Sequence, residues 1–339
     1  MLDILQERYF NEHYSHGFVE TGISLDDDLV DEIKQHYLKK EEGHNDFPKF
    51  FVNNEHQAYQ EGNMLGFLLN AFPNLAKNMI KKFYDKAYRK AVYCEQAFVE
   101  KVLNHLLQKD FQRFFKTRYM VASYDMYLRN NHECPGAGIH FDLPNFHHFY
   151  ETENDLSIYI PLVDLDEDNG GRLKALPESK LKAPGNVLLK MLYRHFSEKP
   201  EYLDANGYID PEKISHEDIT AFVKSQPHRD LMQIYKSVTG MARQRYANEF
   251  NVTTETKGRV LLFNNKNFHA AEQWKNANVD REIYAIRMFP IYDVKINLKK
   301  QLHGTRFNNV LLDTHKGEVR RYDEGIDFSR IAAEDKVKL

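Results

Sequence analysis

The chain has 339 residues, a formal net charge of -4, and 28% charged residues with both signs mixed along its length. No basic run is dense enough to follow a phosphate backbone, which argues against nucleic acid as a partner. Cys94 and Cys134 are the only cysteines, which excludes a disulfide framework and a cysteine-rich zinc module; both are expected to be buried, reduced thiols. Hydrophobic residues at 42% and aromatic residues at 13% supply enough apolar surface for a packed core, and the length fits one domain. The opening MLDILQERYF carries acids early, and no later stretch approaches about 18 apolar residues, so a cytoplasmic protein without a membrane partner is expected.

Residues 1–118 read as helical bracing. Ser24 and Asp27 have capping-box spacing ahead of LVDEIKQHYLKK. Leu75, Met79, Phe83 and Ala87 recur every four residues, as do Phe98, Val102 and Leu106, which marks the apolar stripes of two longer helices. The period then shortens to that of strands: Thr117 to Asn130 (TRYMVASYDMYLRN), Asp155 to Asp166 (DLSIYIPLVDLD) and GRLKALPES. After NVLLK the pattern from about 195 to 255 turns helical again, an insertion between strands. Strands resume at GRVLLFNN (Gly258 to Asn265) and REIYAIRMFPIY (Arg281 to Tyr292), and the polar end from about 314 reads as a mobile tail. This order predicts a mostly β core, an antiparallel barrel or two-sheet jelly roll, braced by N-terminal helices and interrupted by a helical insertion. A single catalytic domain over 1–339 is expected: bracing region 1–118, jelly-roll core 119–295 and C-terminal extension 296–339.

A mononuclear iron site that activates O₂ needs two neutral imidazoles and one carboxylate on one face of the metal. An H-x-D triplet on a strand supplies two of these ligands, because residues i and i+2 point to the same side. The triplet is weak alone, since about one is expected by chance in this composition. Four occur. His44-Asn45-Asp46 lies in a polar stretch before any strand, while His216-Glu217-Asp218 and His228-Arg229-Asp230 lie in helical patterns, where i and i+2 diverge. Only His140-Phe141-Asp142 follows a strand, has Gly136 and Gly138 on its approach, and has further strands and a distal histidine, His269, behind it. His140, Asp142 and His269 are therefore the expected catalytic metal ligands. Twelve residues past His269, Arg281 opens a strand. A co-substrate that chelates iron at one end and carries a free carboxylate at the other needs such a planar, permanent cation. Arg287, six residues on and on the same strand face, is the rival anchor and a candidate substrate contact. His147 and His148 suggest a second metal, but adjacent strand residues point oppositely; Trp274 reads as packing.

These elements in this order resemble the phytanoyl-CoA dioxygenase-like branch of the Fe(II)/2-oxoglutarate-dependent oxygenases. The elements are YDMYLRN, His140-Phe141-Asp142, DLSIYIPLVDLD, DNGGRLKALPESK, KGRVLLFNNKNFH and DREIYAIR, covering roughly residues 117–290. Two departures stand out: Pro177-Glu178-Ser179-Lys180 replaces a Pro-Gly-Ser-His segment, and Gly258-Arg259 replaces Gly-Asp. The resemblance implies a double-stranded β-helix (jelly roll, cupin-like) and Fe(II), 2-oxoglutarate and O₂ as cofactor and co-substrates. It also implies oxidation of an unactivated C–H bond of a small molecule, by hydroxylation, desaturation or oxidative cyclisation, with release of succinate and CO₂. Because Asp142 is present, halogenation is disfavoured. By the same analogy Tyr127 binds the co-substrate and Ser123 the substrate, both on a face shared with Asp125 and Arg129. Arg172, sharing a face with Lys174, would receive an anionic or amino-acid-like substrate if it points inward, and is solvated if it points outward. The insertion becomes either a lid over the substrate or a helical pair away from it. Two other classes remain: a zinc hydrolase on the same ligands, and a barrel that binds a small molecule without turnover. Substrate identity and oligomeric state are not readable from the sequence.

Overall fold

A computed structural model describes residues 4–42, 96–130, 132, 138–142, 154–291, 310–321 and 331. The expected helix from Leu75 to Ala87, both cysteines, the His44 triplet, Gly136, His147 and His148 lie outside these residues. The helices are α1 (Glu7–His16), α2 (Asp27–Glu42), α3 (Gln96–Gln108), α4 (Gly185–Ser197), α5 (His216–Lys224) and α6 (Gln226–Arg245). The strands are β1 (Phe18–Ser24), β2 (Tyr119–Asn130), β3 (Leu156–Pro161), β4 (Leu173–Ala175), β5 (Asn251–Val252), β6 (Arg259–Phe263), β7 (His269–Ala271), β8 (Arg281–Pro290), β9 (Val310–Asp313) and β10 (Glu318–Arg321).

Two antiparallel sheets form the jelly-roll core. The large one runs β1-β6-β3-β8-β2-β9-β10 and the small one β5-β4-β7. Even-numbered residues of β8 (Tyr284, Ile286, Met288) join Ile158 and Ile160 of β3 and pack against α2 and α3 through Val30, Ile33, Tyr37, Val99, Val102 and Leu106. On the other face Tyr159, Leu261, Phe263 and Ile283 meet Leu173 and Ala175 from the smaller sheet and Trp274 just beyond it. The centre of the large sheet is thus apolar on both faces, so β3, β6 and β8 are largely hydrophobic runs and not clean alternations. No helix among the described residues is long and apolar enough to cross a membrane.

Four expectations need correction. Residues 18–24 form an edge strand within the supposedly helical N-terminal region, paired to β6, with an alternating buried and exposed pattern after Val19. Ser24 ends that strand and does not cap α2; the amides of Leu29 and Val30 instead reach the Asp26 carbonyl. The insertion begins earlier than 195, because NVLLK lies in the first turns of α4, which buries Leu188, Leu189, Leu192, Tyr193 and Phe196 at three- and four-residue spacing. Finally, the polar C-terminal stretch is partly strand. β10 pairs with β9, and the fully buried Asp313 carboxylate accepts from the Arg118 guanidinium at 3.2 Å, a charge pair that ties this edge to β2.

Candidate metal centre

The site lies where the small sheet is lengthened by a two-way bridge. The His140 amide donates to the His269 carbonyl at 3.0 Å, and the His269 amide returns to the His140 carbonyl at 2.7 Å. Backbone pairing thus sets the two histidines side by side, with ring centroids 4.3 Å apart. Asp142 is anchored by its amide, which donates to the Asn265 carbonyl at 2.8 Å. One ligand atom from each of His140, Asp142 and His269 falls within 4.8 Å of the others. His140 Nε2 stands 3.6 Å and His269 Nε2 3.8 Å from Asp142 Oδ1. Three donors each about 2.1 Å from one ion stand about 3–3.5 Å apart, so small side-chain movements close the set around a metal.

The ring orientations also suit a metal. His140 Nδ1 lies 2.6 Å from the Gly138 carbonyl and His269 Nδ1 2.9 Å from the Asn267 carbonyl. A carbonyl only accepts, so each Nδ1 carries a proton, and in the neutral ring this tautomer leaves the Nε2 lone pair free to ligate. Burial, with His140 beside it, lowers the His269 pKa to about 4, so the ring is neutral at pH 7. Burial opposes ionisation of Asp142, but the Arg287 guanidinium, aided by His269 and His140, outweighs it and holds the carboxyl far below the usual range. Two neutral imidazoles and one carboxylate are the donor set that a facial iron site requires.

The turn Asn264–Asn267 supports this arrangement, and all four residues are buried. Asn265 Oδ1 accepts from the Ser157 hydroxyl, the Lys266 ammonium meets Asp155 at 2.9 Å, and Asn267 Nδ2 donates to Glu178 at 2.7 Å. His13 of α1 stands 3.7 Å from the same Glu178 oxygen and accepts from the Asn264 amide through Nε2. The departure at position 178 thus supplies a carboxylate that links the N-terminal helix to the turn holding His269.

Arg281 is buried, and its partners are neutral. Its Nε donates to the Gly171 carbonyl and one Nη to the Tyr159 hydroxyl, both at 2.8 Å, and among the described residues no carboxylate forms an ion pair with it. Gly171 allows this approach: its φ is +70°, and a Cβ there would lie 2.8 Å from Arg281 Cδ and 2.9 Å from the Trp274 ring. Trp274 is packing, as expected, with its indole N–H on the Val279 carbonyl. Arg287, on the same face of β8, makes a close ion pair with Asp142.

The remaining candidates stand elsewhere. Tyr127 faces the helices, stacked on Tyr37 at 4.8 Å in the core cluster that contains Tyr284, its register partner. The cause is a bulge. Val121 pairs with Phe289 and Tyr124 with Arg287, so three positions on β2 span two on β8 and the inward parity switches. Before the bulge Tyr119 and Val121 lie on the inner face; after it Met126 and Leu128 do, while Asp125 accepts from Tyr37 and Tyr284 on the helix side. Uninterrupted alternation would have turned Tyr127 inward. Ser123 sits in the bulge, and its side chain is outside the description. Arg172 takes the outward alternative: with Leu173 and Ala175 turned to the core, it forms a two-pronged pair with Glu272 at 2.7 and 3.1 Å, which Lys174 joins. The other described H-x-D triplets lie in α5 and α6, as their pattern implied.

No family model matches the chain, and no curated protein matches it. Solved structures do resemble it at low identity. The α-ketoglutarate-dependent carbocyclase SnoK from nogalamycin biosynthesis is 12% identical over 85% of each chain, with a TM-score of 0.40. HygX from Streptomyces hygroscopicus, solved with nickel and 2-oxoglutarate, is 12% identical over 86% of this chain and 90% of its own, TM-score 0.38. EctD from S. alaskensis, solved with 2-oxoglutarate and 5-hydroxyectoine, is 11% identical over 89% and 82%, TM-score 0.39. At these scores no residue's role is taken from them.

The insertion packs behind the segments that hold the candidate ligands. Phe141 and Phe268, each adjacent in sequence to a candidate ligand, are fully buried in a cluster with Leu188 of α4 and Leu231 and Ala242 of α6. Tyr235 of α6 packs its ring 4.9 Å from Phe141, and Arg243 donates to the Ile139 carbonyl at 3.0 Å. Sequence reading missed Tyr159, Gly171 and the polar turn. Tyr159 shares the inner face of β3 with Ser157, and the pair of glycines in DNGGRL was the available signal for a close backbone approach.

Proposed function

We propose that this chain is an Fe(II)- and 2-oxoglutarate-dependent oxygenase with His140, Asp142 and His269 as the metal ligands and Arg281 as the anchor for the distal carboxylate of 2-oxoglutarate. The observation that carries the reading is the pairing of a two-histidine, one-carboxylate cluster with a buried guanidinium that has only neutral partners. A buried cation without a counter-charge is costly, so a site that keeps one is built for an anion. A zinc hydrolase has no comparable need for Arg281.

When bound, iron with 2-oxoglutarate supplies the oxidising power, taking O₂ and releasing succinate and CO₂. The protein's own groups position and shield. The two Nδ1–H donors hold the imidazoles in the ligating tautomer, and Arg287 keeps Asp142 ionised and can stay on its second oxygen while the first ligates. Tyr159 and Gly171 fix the Arg281 fork so that the co-substrate is bound in one orientation. The substrate in this reading is a small carboxylated or amino-acid-like metabolite. Arg172, paired on the outer face, does not support it, and Arg287 does so only where the metal takes over the charge of Asp142.

The test is turnover of 2-oxoglutarate to succinate by Fe(II)-loaded protein, which occurs slowly even without the primary substrate. Wild type should form succinate, and His140→Ala, Asp142→Ala and His269→Ala should each lose at least about a hundredfold. Hydrolase activity with zinc and no succinate would reject the proposal.

A further inference from the structure

Near Arg281 is a second acid that the proposed reaction does not use. Glu255 is 1% exposed and sits where the chain between β5 and β6 bridges to Leu165. One carboxyl oxygen makes a close contact with the Thr253 hydroxyl; the other, Oε2, is buried and has no hydrogen-bond partner among the described residues. Thr253 Oγ also lies 3.0 Å from the Leu173 carbonyl. A hydroxyl has one proton, and a carbonyl can only accept. If Thr253 donates to Leu173, the proton between Thr253 and Glu255 must come from Glu255. The local geometry thus admits a neutral carboxylic acid, and the unpartnered buried Oε2 favours it, because an ionised carboxylate would leave charge on that oxygen unmet.

The charged and titratable neighbours agree. Arg281 of β8 attracts Glu255 without forming an ion pair, Glu20 of β1 repels its charge, and the buried Tyr159 hydroxyl of β3, bonded to Arg281, feels both the guanidinium and this acid. Burial is the largest influence and raises the Glu255 pKa to about 7, against the hydrogen bond that Thr253 would donate to an ionised carboxylate and the pull of Arg281. An ionised Glu255 would neutralise Arg281 from within. A neutral one leaves the guanidinium its whole charge.

We propose that Glu255 is a positioning residue of the co-substrate site, kept as a neutral acid so that the charge of Arg281 is available to an incoming carboxylate. This rests on the functional reading above, in which that carboxylate is the distal end of 2-oxoglutarate. One guanidinium in a buried pocket does not hold two carboxylates as anions, so binding of the second drives a proton onto the first. 2-Oxoglutarate binding therefore takes up close to one proton where free Glu255 is ionised and little where it is already neutral.

The experiment is anaerobic calorimetry of 2-oxoglutarate binding to the Fe(II)-loaded protein at pH 6.5 and 8.5, in buffers of different ionisation enthalpy, for wild type and Glu255→Gln. Wild type should take up close to one proton at pH 8.5 and only a fraction of one at pH 6.5, with roughly ten- to thirtyfold weaker binding at the higher pH. Glu255→Gln, permanently neutral and still able to donate to Thr253, should bind with neither dependence. Binding by wild type with no proton uptake at pH 8.5 overturns the inference without need of the variant. So does a pH dependence that survives in Glu255→Gln. If wild type binds no 2-oxoglutarate at either pH, the functional reading itself fails and this one falls with it.

Discussion

Two arginines on one strand face divide the charge work of the site. Arg281 has neutral partners and Arg287 has Asp142, so replacing them should have separable effects. Arg281→Ala removes a buried charge-assisted contact and should raise the 2-oxoglutarate requirement by roughly thirtyfold or more. Arg287→Ala should leave that requirement within about threefold and act on metal retention and substrate affinity. Succinate formation against 2-oxoglutarate concentration checks both, and the reverse pattern would reassign the anchor. Histidine burial makes a second prediction. His13 and His269 have folded pKa values of about 4, set chiefly by burial, against 6.5 for an unfolded histidine. Between these values the unfolded chain takes up protons that the folded one refuses. Stability of the metal-free protein is therefore full above pH 6.5 and falls as the pH drops toward 4, by about 2 kcal/mol per histidine at pH 5. Urea melts at pH 7 and 5 should show the loss, and His13→Gln should remove part of it. The convergence of His140, Asp142 and His269, and the shared face of Arg281 and Arg287 on β8, were legible in the sequence as spacing within and after strands. Tyr127 was not assigned correctly, because alternation is legible only until a bulge, and nothing in VASYD announces one.

Elements were legible where the apolar pattern was long and regular. β2, β3, β6, β8 and α3 fall within the segments whose period marks them. β1 was missed although its alternation is present, because GFVETGIS lies among helical patterns and its pairing to β6 is made across more than 200 residues. β10 was missed because EVRR offers a single apolar residue, Val319, which is too little to mark a face. NVLLK is both a fair strand and the start of a helix; only the stripe continuing to Phe196 decides for α4. The turn before β4 illustrates the sequence's most compact structural signal. Gly171 has a left-handed backbone and lies against Arg281 and Trp274, so Gly171→Ala must displace the guanidinium or strain the turn. The expected result is a protein that folds with a stability loss of about 1–3 kcal/mol and binds 2-oxoglutarate at least about tenfold more weakly while retaining metal. Loss of metal binding instead would show that this turn supports the ligands and not the anchor.

At the scale of the whole molecule, the fold brings together His140 and His269, separated by 129 residues in the chain, and sets Arg281 and Arg287 on the inner face of the large sheet. The helices serve two distinct supports: α2 and α3 back the large sheet, while α4 and α6 back the ligand-bearing segments through Phe141 and Phe268. The fold class was readable from the order of periods. What was not readable was the role of the insertion, since packing against the rear of a strand and closing over its front have the same helical signature. The central claim is that one metal and one 2-oxoglutarate meet at His140, Asp142 and His269 under the hold of Arg281. Anaerobic titration of 2-oxoglutarate into the Fe(II)-loaded protein tests it most directly, because the chelate has a weak visible charge-transfer band that neither component has alone. The band should form in wild type, be lost in Asp142→Ala, and require far more 2-oxoglutarate in Arg281→Ala. No band in the wild-type protein, with iron bound, would contradict it.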